Sequence, residues 1–76
     1  MATVLIRLGT SVRSARKETQ MTQYELAKIM NVTKHHITEI ENAHEKPSFD
    51  LLVLLVIELN LNTDWIFKGN NGGGFL

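Results

Sequence analysis

Lys34, His35, Thr38 and Glu39 place a cation, an imidazole, a hydroxyl and a carboxylate at spacings that a helix presents to solvent as one polar edge. Side chains of these types donate to and accept from base edges, so such a row on a short helix is a means of entering a DNA major groove. Other chemistries fit the chain less well. His35 and His36 are adjacent and project about 100° apart on a helix, which suits joint ligation poorly, and with His44 they find no carboxylate at the spacing of a tetrahedral metal set. A serine nucleophile would have to be Ser11, Ser14 or Ser48, with a histidine and an acid around a pocket that a 76-residue chain hardly has. Gly72-Gly73-Gly74 lacks the lysine and helix that must follow a phosphate-cradling loop. The expectation is therefore no enzyme, no cofactor and no metal.

A polar row needs a scaffold to hold it, and the composition limits what that scaffold can be. The length allows one domain with a small core, and the absence of cysteine rules out disulfides, thiolate metal sites and thiol nucleophiles. Val4-Leu5-Ile6 is followed at once by Arg7, too short an apolar run for a signal-peptide core or a membrane span, so a soluble cytoplasmic protein is expected. The formal net charge is zero, unlike that of a strongly basic nucleic-acid binder. Its distribution is polarised: Arg7, Arg13, Arg16 and Lys17 face only Glu18 in the first twenty residues, whereas Asp50, Glu58 and Asp64 outnumber Lys68 after Pro47. A local field matters more to a groove contact than the total, but non-specific affinity should be modest and readily screened by salt.

The periodicity predicts five helices. Leu5, Leu8, Val12 and Ala15 recur at three- or four-residue spacing, giving a first helix over 4–18 with Thr3 as a possible cap. Thr22 and Glu25 form a capping box, with Met21 placed to start a hydrophobic staple, so a second helix spans 23–30 and buries Leu26, Ala27 and Met30. Asn31 tolerates the left-handed turn that must follow, and Val32 plugs the corner. Thr33 caps a third helix over 34–42, whose buried face is Ile37, Ile40 and Glu41. Pro47 fixes the next loop, Ser48 caps a fourth helix ending near Leu59, Asn60 makes the turn, and Asn62 caps a fifth over 63–68 that Gly69 stops. Residues 1–69 thus form the domain, and 70–76 a flexible tail with Phe75 and Leu76 at its tip.

This pattern resembles the phage repressor and Cro-like helix-turn-helix family, also known as XRE-type regulators. The likeness rests on Arg13 to Arg16, Thr22-Gln23-Tyr24-Glu25-Leu26-Ala27, Val32-Thr33, Ile37-Thr38-Glu39-Ile40-Glu41-Asn42, Pro47-Ser48 and Leu61 to Gly69, in order and at the family's spacing. It implies an all-α, five-helix lambda-repressor-like DNA-binding domain with the helix-turn-helix at helices 2 and 3, acting on double-stranded DNA as a transcriptional regulator. It also implies base contacts from Lys34, His35 and Glu39. Thr22, Gln23, His36, Thr38, Asn42 and Lys46 would meet the DNA backbone, Gln23 also bracing the reading helix. Arg16 and Glu41 would form a buried structural ion pair. Against the family pattern, Gln20 and Ala43 stand where glycine is usual, so those turns either adopt another geometry or carry strain. A histidine beside phosphates, as expected of His35, would raise DNA affinity as pH falls below imidazole's reference value of about 6.5.

Helix 4 departs furthest from the family. Leu52, Leu55, Val56 and Leu59 supply one face for the core, while Leu51, Val53, Leu54 and Ile57 spread round the rest, Leu54 and Ile57 at positions where the family often has lysine. A helix apolar nearly all round must be covered on more than one side. At about 25 cal/mol per Å², hiding three such side chains is worth several kcal/mol toward association. A homodimer through Leu51, Leu54, Ile57, Leu61 and Trp65 is the expectation, and two reading helices one DNA turn apart suit a pseudo-palindromic operator. The alternative is a protein-interaction module, or an antitoxin-like partner protein, that uses helix 4 with weak or no DNA binding.

Overall fold

The computed structural model describes residues 2–69, in which the helices are α1 (Ala2–Glu18), α2 (Gln23–Met30), α3 (Lys34–Glu41), α4 (Phe49–Leu59) and α5 (Thr63–Lys68). The tail expected at 70–76, with Phe75 and Leu76, lies outside the described residues. No described helix is long and apolar enough to cross a membrane. Each start after α1 has the side-chain cap that the sequence predicts: the oxygens of Thr22, Thr33, Ser48 and Asn62 accept from Glu25, His36, Leu51 and Trp65 amides. The Thr22 box is closed by the Glu25 carboxylate, which accepts from the Thr22 amide at 2.8 Å. At the first helix the expectation shifts, because the helix begins at Ala2 and Thr3 lies within its first turn rather than capping it.

Three of the exits take the left-handed conformation at Asn31, Asn60 and Gly69, and Gln20 and Ala43 take it as well, with φ of 61° and 62°. The two glycine-less turns therefore keep the glycine geometry and carry its steric cost, about 1–2 kcal/mol each for a residue with a Cβ.

α1 lies across α3, α4 and α5, while α2 packs on α3 and α4. Val12, Leu26, Ile37, Ile40, Leu55 and Ile66 are buried essentially completely, so every helix contributes to one core. Met21 and Val32, the staple and the corner plug, pack against its edge. α4 is rotated from the expected setting: Leu51, Leu55 and Leu59 face inward, and Leu52 and Val56 are half-buried. Leu51 is thus a core residue, as is Leu61, because α4 meets both α1 and α2 and the loop into α5 folds under it.

Candidate nucleic-acid interface

The start of α2 and the end of α3 are tied to α1 by a hydrogen-bonded hub at Glu41. Its carboxylate accepts from Arg16 Nε at 2.7 Å and Arg16 Nη2 at 3.2 Å, the two-pronged geometry peculiar to a guanidinium. Arg13 Nε at 3.4 Å and Gln23 Nε2 at 3.0 Å complete the set. Arg16 also donates to the Met21 carbonyl, so one side chain ties α1 to α3 and to the entry of α2. Burial pushes the Glu41 carboxyl up, but the hydrogen bonds from Arg16 and Gln23, the Arg16 charge and the Arg13 contact outweigh it and hold the group below its usual 4.5. Among the described residues no buried side-chain nitrogen or oxygen lacks a partner. The expected Arg16–Glu41 pair is present, and Arg13 and Gln23 join it.

Gln23, expected at a phosphate and as a brace, is well placed for the second role: its Oε1 accepts from the Thr38 hydroxyl at 3.0 Å while its Nε2 serves Glu41. One amide hydrogen remains to point elsewhere. Asn42 is fixed similarly, because Arg13 Nη2 donates to its Oδ1 at 2.8 Å and the Asn42 amide nitrogen keeps its donors. Thr22 accepts from Glu25 and retains its hydroxyl hydrogen. Thr22 and Gln23 at the start of α2 and Asn42 at the end of α3 thus each keep a hydrogen to donate, the complement of a phosphate, which can only accept.

Lys34 and His35 are exposed at the start of α3, and Lys46 is exposed in the loop beyond it. Thr38 differs from expectation: its single hydroxyl hydrogen goes to Gln23 Oε1 or to the Lys34 carbonyl at 3.1 Å, and none is left for a phosphate. Glu39 is half-buried and sits 3.6 Å from His44 Nδ1, and His36 Nδ1 lies 2.7 Å from Glu45 Oε1. The carboxylate expected at a base and one expected backbone contact therefore both lie against side chains of the α3–α4 loop. Among the described residues no three histidine, cysteine, aspartate or glutamate side chains are grouped to hold a metal ion.

Three of the four N-terminal cations are tied to partners within the fold. Arg7 donates to the Ile66 carbonyl at 2.8 Å in the last turn of α5, and Arg13 and Arg16 serve the Glu41 hub. Gly9 was not singled out by the pattern of α1, yet it decides how α1 meets the reading helix. A Cβ there would stand 2.5 Å from the Glu41 carbonyl oxygen and 2.7 Å from that of Ile40. A lone glycine inside an apolar helical stripe was the available signal. Of the expected dimer face, Leu54 and Ile57 are exposed, Trp65 is half-buried, and Leu51 and Leu61 are withdrawn into the subunit's core.

A family model described as "Helix-turn-helix" matches residues 12–66. The ImmF control region 10 kDa protein of Bacillus phage phi105 is 32% identical over 56 residues, covering 74% of this chain and 62% of that protein. The chain thus spans less than two thirds of that relative's length. The crystal structure of the clp gene regulator ClgR from Corynebacterium glutamicum superposes with a TM-score of 0.72 at 25% identity, over 83% of this chain and 67% of that one.

Proposed function

The chain belongs to the helix-turn-helix family of DNA-binding transcriptional regulators, and we propose that within it this protein is a repressor that binds a pseudo-palindromic operator as a homodimer. The observation that carries this reading is the set of available donors at Thr22, Gln23 and Asn42, where the start of α2 meets the end of α3, two of whose amides are pinned by the Glu41 hub. In that arrangement Thr22, Gln23, Asn42 and Lys46 hold the phosphates, which sets the register of α3 on the duplex. Lys34 and His35 enter the groove, and Lys34 donates to guanine. Glu39 accepts from a cytosine amine through the carboxylate oxygen that does not face His44. His36 supports the loop rather than the phosphate, and Thr38 supports Gln23.

Selection of duplexes from a random pool at low salt tests the reading: a recovered pseudo-palindrome with half-sites one helical turn apart is expected. A pool that stays unenriched, while the protein captures a protein partner through its apolar α4 face, would establish the interaction-module alternative. The exposed Phe49, Leu54 and Ile57 and the zero net charge favour that alternative.

A further inference from the structure

All three histidines of the chain, His35, His36 and His44, lie on α3 or in the loop that follows it, and two of them sit beside carboxylates. The exit of α3 builds this arrangement. With Ala43 left-handed, the His44 amide donates to the Glu39 carbonyl at 2.8 Å and the Ala43 amide to that of Ile40 at 3.1 Å, the double closure of a Schellman motif. Such a closure brings together the side chains at its two ends, commonly an apolar pair. Here they are Glu39 and His44, with Nδ1 3.6 Å from Oε2. Three residues earlier on the same helix, His36 holds Glu45 of the loop at 2.7 Å. The pairs are crossed: helix acid to loop histidine, and helix histidine to loop acid.

The neighbouring charges leave these pairs to set the balance. α3 itself adds Lys34 and the exposed His35, and the loop adds Lys46. From α1 comes Arg13, engaged with Glu41 and Asn42, and α2 brings the neutral Gln23. α4 carries Asp50 in its first turn, Glu58 near its end and no base. With neutral imidazoles, Lys34 and Lys46 are matched by Glu39 and Glu45, and two carboxylates stand against a polyanion. Protonation converts each pair into an ion pair, cancels both acids and draws the loop onto the reading helix.

We propose that His36 and His44 are positioning residues that link proton uptake to DNA binding, through the carboxylates of Glu45 and Glu39. The proposal rests on the DNA-binding reading above. DNA stabilises the protonated pairs, so affinity rises as pH falls through the imidazole range and is greatest below it.

The test is an anisotropy titration of the selected duplex at fixed ionic strength, from about pH 8 to about pH 6, with folding at each pH checked by circular dichroism. The readout is the ratio of affinities at the two pH values for each protein, whatever its affinity at the upper one. Wild type should gain about tenfold. His36→Gln and His44→Gln should each lower that ratio, and the double variant should bring it within about twofold. In a His35→Ala background, His36→Gln and His44→Gln should still lower the ratio, which separates this device from a direct His35–phosphate contact. A flat wild-type profile, a double variant that keeps the full ratio, or a ratio abolished by His35→Ala overturns the proposal while leaving DNA binding intact. Absence of binding at either pH overturns both.

Discussion

Removing the Glu41 carboxylate strands the Arg16 guanidinium, whose side chain is 10% exposed, with only the Met21 carbonyl to receive it. An uncompensated buried charge costs about 3–5 kcal/mol, a large share of the stability of a domain this size. Glu41→Ala should therefore lose about that much in urea denaturation near neutral pH, and it should also free Gln23 and Arg13 from their positions. The ionisation of Glu41 gives this a pH signature. Its carboxyl is held below the ordinary 4.5, so the native state favours the anion, and the resulting stability is complete above that value. It is lost as pH falls through the folded-state value. The stability gap between wild type and Glu41→Gln should accordingly narrow in acid, and a gap that stays constant down to about pH 3 would contradict the assigned hub. At this scale Arg16 and Glu41 were legible through the family likeness, because both positions match its motif. The Arg13 and Gln23 contacts were not, since a polar residue on an exposed face carries no mark of which neighbour it will meet.

Between elements, the close approach of α1 to the end of α3 sets where the reading helix sits. Gly9 costs α1 about 0.5–1 kcal/mol relative to alanine in helix propensity, and the approach it allows is the return on that cost. Because a Cβ there would meet the carbonyl oxygens of Glu41 and Ile40, which are backbone and cannot rotate away, Gly9→Ala should destabilise the protein by about 1–3 kcal/mol despite the better propensity. It should also shift the hub that α3 carries and weaken DNA binding. A thermal melt that moves upward in this variant would show that α1 has room to spare. The caps of α2 to α5 and the turns at Asn31, Asn60 and Gly69 were readable residue by residue, since each rests on local chemistry. Gln20 and Ala43 were not decided in advance, because their left-handed geometry is imposed by the helices on either side rather than by their own preference.

At the scale of the whole molecule, Phe49 at 76% and Ile57 at 71% are the most exposed large apolar side chains among the described residues, with Leu54 and Phe67 beside them on α4 and α5 and Ile6, Tyr24 and Ile29 exposed on α1 and α2. Apolar grooves run on both sides of the ridge formed by Phe49, Leu52 and Phe67. A contiguous face of this kind marks an interaction surface, and in the dimeric reading it meets its counterpart across a two-fold axis. Leu54→Lys should halve the mass seen in sedimentation and leave the melt of the subunit little changed, because Leu54 is not a core residue. It should also reduce operator affinity, since two linked half-sites bind far more tightly than one. An unchanged mass would place the subunit contact elsewhere.

The sequence by itself determined the five helices, the caps of α2 to α5 and the corner between α2 and α3, because each depends on contacts a few residues apart. Packing decided the rest. α4 is almost uniformly apolar, so no polar side told it how to rotate, and only its contacts with α1 and α2 chose Leu51, Leu55 and Leu59 for the core. The N-terminal arginines read as a basic surface until the fold gave Arg7, Arg13 and Arg16 partners 25 to 59 residues along the chain. Partners that distant meet only once the helices have packed.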